Sequence, residues 1–354
     1  MIKRVKILIA SHDAGASNIL ASLVKKYQKT FNWKIFSAGP GELIFKKEKI
    51  KAVNFKFFAI SKFLSSWKPN LVITGTGWGT DQEKIFRKEA KKLGIKTACF
   101  LDHWSYYRQR FGYPGKWKEN LPDFIFVGDQ WATRIALKLG FPRKKVIQVE
   151  NPYFEKLIEK AKQKKANRQK TKLNLKIILY VSEPLSQASI SDHGNSRYWG
   201  YNEYDVIKDL LKVTKVLLQN EDLILIIRLH PSDKKTKFNS LIKQKRFKAI
   251  SEHIRISDPQ KSSLLDDLLP SDVVVGSTSL PLFIALMLSK KVISYIPSSQ
   301  KVFTLPQKEI KKIASIEKLI TTISAPGPEN QVNLTKYLTA NISFGDFINQ
   351  HFPL

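Results

Sequence analysis

Apolar residues along this chain fall into short runs rich in β-branched side chains, separated by longer stretches of amphipathic character. That alternation is the signature of parallel strands joined by crossover helices. In the first half, strands are expected at 5–10, 34–37, 71–74, 97–101, 124–127 and 146–149. Helices fit between them, for example over 17–28 and 81–93. Asp129 is placed to cap a helix over 130–139, Gly140 sits where a C-terminal glycine belongs, and Pro142 blocks continuation.

Between 154 and 176 the pattern breaks into a lysine-rich, glycine-free stretch, and a strong new strand begins at Ile177-Ile178-Leu179-Tyr180-Val181. This predicts an N-terminal domain over 1–153, a basic linker or helix over 154–176, and a C-terminal domain over 177–330. A helical tail over 331–354 is a candidate to pack back on the N-terminal domain. The second half repeats the alternation: helix 204–219, strand 223–228, a weaker strand 253–256, helix 263–269, strand 273–275, helix 280–288 and strand 291–295. No short-period repeat is visible, which excludes solenoids and propellers. The expected fold class is α/β, with two doubly wound parallel-sheet, Rossmann-like domains facing a cleft.

Composition agrees with two globular halves. At 354 residues the chain exceeds the size at which single cores stop growing, and 43% apolar with 25% charged residues excludes disordered and fibrous classes. The one cysteine, Cys99, sits in an apolar run and reads as a small buried hydrophobe in a reducing compartment. The apolar stretch at the N-terminus is short for a signal peptide, and the longest apolar run elsewhere, 280–288, is far too short to span a bilayer. A cytoplasmic location is expected, peripheral at the inner membrane face if the surface charge holds it there.

That charge, +30, changes the picture most. It attracts nucleic acid, anionic lipid and phosphorylated small molecules alike. Lysine outnumbers arginine several-fold, and arginine is the residue suited to bidentate reading of bases and phosphates, so specific nucleic-acid recognition is not expected.

In open parallel sheets, ligands bind at the carboxyl ends of strands, so the loops just after each predicted strand are where chemistry is sought. The first, from Ser11 through His12, Asp13 and Gly15 to Asn18, feeds a helix N-terminus able to receive an anion, or presents Asp13 to a substrate hydroxyl. A tight turn capped by Ser17 is the structural alternative. The second, Thr74-Gly75-Thr76-Gly77-Trp78-Gly79, has three glycines that let backbone amides approach a ligand, and Trp78 offers a flat face for a sugar. The third, Asp102-His103-Trp104, sets a carboxylate beside an imidazole, a candidate general base if the two side chains meet. In the second half, Arg228-Leu229-His230-Pro231 places a histidine of restricted backbone at a strand end. Gly276-Ser277-Thr278-Ser279 opens a helix whose free amides and hydroxyls form an anion cradle without a metal.

The last two motifs resemble the donor domain of GT-B glycosyltransferases, in particular the His-Pro group of bacterial sialyltransferases, capsular Kdo transferases and CDP-glycerol glycerophosphotransferases. The stretch from Asp123 to Asn151-Pro152-Tyr153 is similar to the segment that crosses between GT-B domains, with Glu150 where a glycine is common. The resemblance implies that Arg228, His230, Pro231, Ser277, Thr278 and Ser279 bind the donor nucleotide's phosphate. It implies Asp13 or the Asp102/His103 pair as base, with His12, Gly15, Gly77, Trp78 and Trp104 on the acceptor side. The expected activity is transfer of a sugar from a CMP-, CDP- or UDP-linked donor to a glycan or lipid-linked acceptor. The helix after the donor loop lacks the carboxylate of retaining relatives, so an inverting, metal-independent reaction without a cofactor is expected. The +30 surface would draw the protein to an anionic membrane.

Two alternatives stand beside it. A nucleotide-sugar 2-epimerase shares the bilobed fold and the inter-domain turn, but those enzymes use several acidic residues in the cleft, and this sequence is poor in them. A basic nucleic-acid or membrane-surface binding protein fits the charge, although no helix-turn-helix, zinc spacing or aromatic RNA-binding motif accompanies it.

Overall fold

In the computed structural model, which describes residues 4–54, 59–77, 81–166, 175–298, 305–327 and 334–353, the side chains of β1 (Lys6–Ser11) alternate between two separate cores. Ile7 and Ile9 join Leu71, Ile73, Phe100 and Phe126 on one side, while Leu8 and Ala10 join Phe36 and Val72 on the other. Successive residues of a strand point to opposite faces, so an unbroken apolar run is a strand buried on both. Each face then needs its own helical cover.

The chain divides into two compact units, Met1–Lys156 with Leu334–Leu354, and Leu157–Asn333. The first contains β1, α1 (Ala14–Lys26), β2 (Asn32–Ser37), α2 (Pro40–Lys47), β3 (Val53–Asn54), α3 (Ile60–Trp67) and β4 (Leu71–Thr74). It continues with α4 (Gln82–Lys92), β5 (Lys96–Leu101), β6 (Phe124–Val127), α5 (Gln130–Lys138), β7 (Val146–Gln148) and the start of α6 (Pro152–Ala166). All seven strands are parallel, in the order β3-β2-β1-β4-β5-β6-β7. Helix α1 covers the Ile7 face, and α3 and α4 cover the Leu8 face through Leu64, Phe86 and Ala90.

The second unit holds the rest of α6, then β8 (Lys176–Val181), α7 (Leu185–His193), α8 (Glu203–Leu217), β9 (Leu223–Arg228), α9 (Asn239–Ile242) and β10 (Ile254–Ser257). After these come α10 (Leu264–Leu268), β11 (Val273–Gly276), α11 (Leu280–Met287), β12 (Lys291–Tyr295), β13 (Lys311–Ile313) and α12 (Ile316–Ser324). Its six parallel strands run β10-β9-β8-β11-β12-β13. One core joins Ile178 and Tyr180 of β8 to Leu225 and Ile227 of β9 and to Val206, Leu210 and Val213 of α8.

The C-terminal α13 (Thr335–Leu338) and α14 (Phe344–His351) belong to the first unit. Phe344 and Phe347 enter the Ile7 core, with ring centroids 5.9 and 5.0 Å from that of Phe126. Burying such a ring stabilises by about 1.5–3 kcal/mol. Glu150 accepts the Phe344 amide at 2.5 Å and the Tyr27 hydroxyl at 2.5 Å, so it ties the head of α14 to the end of α1.

Both sheets are doubly wound, as the alternation of runs predicts. The differences are local. Helix α1 begins at Ala14 rather than residue 17, because Asp13 supplies the cap: its Oδ1 accepts the Ala16 amide at 2.9 Å. The lysine-rich stretch begins as helix α6, and residues 167–174 lie outside the described residues. Among the described residues no helix is long and apolar enough to cross a membrane.

Candidate functional site

In each sheet the strand order reverses once, between β1 and β4 and between β8 and β11. The crevice at the carboxyl ends of such a pair is where α/β sheets accept ligands, because the two flanking connections leave on opposite faces.

In the first unit that crevice holds three carboxylates. Asp13 follows β1, Asp102 follows β5, and Glu83 comes from the first turn of α4. Glu83 is buried and accepts the His12 amide at 2.8 Å with one oxygen and the Gly77 amide at 2.9 Å with the other, so it bridges the loops after β1 and β4. Asp102 pairs with Arg110 at 2.7 Å, and Arg110 also donates to Thr76 Oγ1 at 2.7 Å and to the Ser105 carbonyl at 3.3 Å.

Three glycines make room for these acids. A Cβ on Gly77 would collide with Asp13 Oδ2, one on Gly15 with Asp102 Oδ2, and one on Gly75 with Glu83 Oε1. The glycines read from sequence as openings for a ligand therefore admit the protein's own side chains. Trp78 lies outside the described residues. Trp104 is buried and its indole N–H donates to both oxygens of Asp129 at 3.0 Å, which takes it out of the expected acceptor-facing set. His12 lies against Gly39. His103 Nδ1 pairs with Ser105 Oγ at 2.9 Å, while the cation on Asp102 is Arg110, so the expected Asp102/His103 partnership gives way to an Asp102–Arg110 one.

Crowding sets the protonation. Asp13 is pushed up from 3.8 to about 8 by loss of water and by the charges of Asp102 and Glu83, against which the Ala16 amide and Arg110 work. Burial also raises Glu83, opposed by the His12 amide and Arg87. At neutral pH Asp13 holds a proton beside two other carboxyl groups, an arrangement suited to general acid–base chemistry.

In the second unit a buried acid occupies the corresponding crevice. Glu183, two residues past β8, accepts the amides of Ser277 at 2.9 Å and Thr278 at 2.8 Å with one oxygen and the Thr278 hydroxyl at 2.8 Å with the other. The cradle expected at 277–279 exists, but a carboxylate of the chain lies in it. Burial raises Glu183, and those hydrogen bonds oppose the rise. Arg228, expected among the phosphate ligands, pairs with buried Asp267 at 2.5 Å and with Ser262 Oγ at 3.1 Å.

His230 is held by its own turn. Its amide donates to Asp233 Oδ2 at 2.9 Å, and Nδ1 lies 3.2 Å from the Ser232 amide and 2.7 Å from the Ser232 hydroxyl. An Nδ1 that accepts from an amide leaves the proton on Nε2. Burial lowers the imidazole from its usual 6.5, so at neutral pH it is an uncharged N–H donor. Asp233 is anchored by Lys237, which also pairs with buried Glu203. Beside this turn, at the ends of β9 and β10, lies a cavity of about 530 Å³ lined by Leu229, Lys235, Arg255, Ser257, Asp258 and Lys261, among others.

Sequence reasoning missed Glu83, Arg110, Glu183 and Asp233. Glu183 alone carried a local signal, an acid just past a strong strand. Glu83 lies mid-pattern in an amphipathic helix, and Arg110 eight residues past its partner. Among the described residues no group of three or more His, Cys, Asp or Glu is arranged to hold a metal ion.

No family model matches the chain, and no curated protein matches it by sequence. Solved structures do match in fold. UDP-GlcNAc 2-epimerase from Neisseria meningitidis, bound to UDP-GlcNAc, superposes with a TM-score of 0.61 at 13% identity, over 98% of this chain and 94% of that one. The Methanocaldococcus jannaschii UDP-GlcNAc 2-epimerase, in complex with UDP-GlcNAc and UDP, gives 0.62 at 14%, over 93% and 94%. Anabaena Alr3699/HepE, in complex with UDP and glucose, gives 0.57 at 12%, over 90% and 89%. The likeness establishes a GT-B-like two-domain α/β fold and offers nothing specific to the His-Pro transferases. It overturns the expectation of glycosyl transfer, since chains matched over nearly their full length are 2-epimerases of UDP-GlcNAc.

Proposed function

We propose that this chain is a nucleotide-sugar 2-epimerase acting on a UDP-linked sugar. The observation that carries the reading is the convergence of Asp13, Glu83 and Asp102 at one sheet crevice, with Asp13 pushed up to about 8. The sequence's apparent poverty in cleft acids, which had counted against an epimerase, is a matter of spacing along the chain. Inverting a carbon that bears hydrogen requires one group to take a proton and another to return one to the opposite face. Carboxyl groups of unequal proton affinity suit that task. Asp13 and Asp102 are the candidates for contact with the sugar; Glu83, bonded to two amides, positions the loops.

The second unit is assigned the nucleotide. The neutral Nε2–H of His230 and the Ser277–Ser279 loop are donors for phosphate oxygens, and the 530 Å³ cavity beside His230 has the size of a small-ligand pocket. Supporting this assignment, the matched Neisseria and Methanocaldococcus structures hold UDP-GlcNAc.

Incubation with UDP-GlcNAc in D2O, without any acceptor, tests the reading. The expected result is the C2 epimer together with deuterium at C2, followed by NMR. Recovery of bound UDP-GlcNAc with neither change would overturn it.

A further inference from the structure

Both crevices are bridged by a buried glutamate, but the two glutamates are held differently. Glu83 joins two loops and has the Arg87 guanidinium near enough to offset its charge. Glu183 draws its stabilisation from amides and one hydroxyl: Ser277, Thr278 and Ser279 contribute backbone N–H groups, and Thr278 its side chain. These are the free donors at the head of α11, an eight-residue helix with no acid in its first turn and no side-chain cap bond from Ser279. The Ser279 hydroxyl is buried there and has no hydrogen-bond partner among the described residues. A carboxylate with two oxygens on consecutive amides reproduces how a phosphate sits on a helix N-terminus. Glu183 reaches this position from the three-residue connection between β8 and α7, so its carboxylate is held on the amides by its side chain and not by a place in a strand or helix.

We propose that Glu183 is an intramolecular competitor for phosphate: its carboxylate closes the donor cradle of the second unit, and a nucleotide's phosphate binds there by displacing it. The inference rests on the reading of that unit as the nucleotide side. It predicts that the cradle is intrinsically a tighter phosphate site than the native protein shows, because affinity is reduced by the fraction of molecules in which the cradle is open. Glu83, with its cation, is a fixed bracket and does not exchange in this way.

Titration calorimetry of the full chain with inorganic pyrophosphate, and separately with UDP, tests this on the native protein, Glu183→Gln and Glu183→Ala. Glu183→Gln keeps the shape and removes the charge, and Glu183→Ala removes the occupant while leaving every donor of the cradle. Both are expected to bind pyrophosphate about tenfold or more tightly than the native chain, as an open fraction of about one in ten or less implies. Thermal melts confirm that each variant is folded. Unchanged or weaker pyrophosphate binding in either folded variant, or no binding by any form, overturns the gate and makes Glu183 a bracket like Glu83. The epimerase reading fails separately: tighter pyrophosphate binding in the variants with no C2 exchange on UDP-GlcNAc would leave the gate standing and remove the reaction.

Discussion

Asp102 Oδ1 lies 2.7 Å from Arg110 Nη1, and both side chains are nearly buried. Arg110 therefore offsets the charge of Asp102 and Asp13, as Arg87 does that of Glu83, and burial against the charge of Arg110 is outweighed by Asp102 and Asp13. Replacing Arg110 with Met leaves Asp102 buried without its cation, a change worth about 3–5 kcal/mol of stability. It also removes a positive charge that lowers Asp13, so the Asp13 titration followed by NMR moves above 8. Arg110→Lys should recover part of both effects. An Asp13 midpoint unmoved in a folded Arg110→Met protein would disprove this coupling.

Asp13 makes stability depend on pH with a defined sign. Its folded-state value is raised, so the native state holds the proton more tightly than the unfolded chain, and the contribution is full below about 4 and lost as pH rises to about 8. Asn at this position keeps an acceptor for the Ala16 amide but does not titrate. The melting temperature of Asp13→Asn minus that of the native protein is expected to climb between pH 4 and 8 and then level. A difference that stays constant across that range contradicts the assignment.

Glu150 fastens the C-terminal helix through the Phe344 amide and Tyr27 hydroxyl. Glu150→Gly leaves the buried Phe344 amide unpaired, at about 1–3 kcal/mol, and takes the acceptor from the half-buried Tyr27 hydroxyl. The melting temperature should fall, and limited proteolysis should cut first near residues 334–343. Unaltered protease resistance would show that Phe344 and Phe347 hold the helix unaided.

His230 is expected to act as a neutral donor. UDP affinity should drop about 5- to 10-fold in His230→Ala, the cost of one hydrogen bond. Between pH 6 and 8 the native affinity should show no step attributable to imidazole, because burial lowers its value. Calorimetric titration with UDP at several pH values measures both, and a binding step near pH 6.5 absent from His230→Ala would count against the neutral form.

The parallel sheets were legible because their central strands are buried on both faces. Runs such as Ile7-Leu8-Ile9 and Val273-Val274-Val275 must be continuously apolar, and no other common element makes that demand at such short length. Edge strands were not legible. Strand β3 has two exposed residues and β13 is Lys311-Lys312-Ile313, whereas a helical tail was expected and only its bounds, Phe344–His351, were not.

Strand ends told where chemistry belongs, and Asp13, Asp102, His230 and Ser277–Ser279 follow from that rule alone. What the side chains do there was decided in three dimensions. Gly75 and Gly77 read as ligand openings until the fold fills each with a carboxylate, and Arg228, a candidate phosphate ligand, is found paired with Asp267. Asp13, Glu83 and Asp102 stand 70 and 19 residues apart in sequence, and only the strand order β1-β4-β5, with α4 returning to the same crevice, brings them within reach of one another. A carboxyl's proton affinity depends on the water and charge around it, and those are properties of neighbours in space.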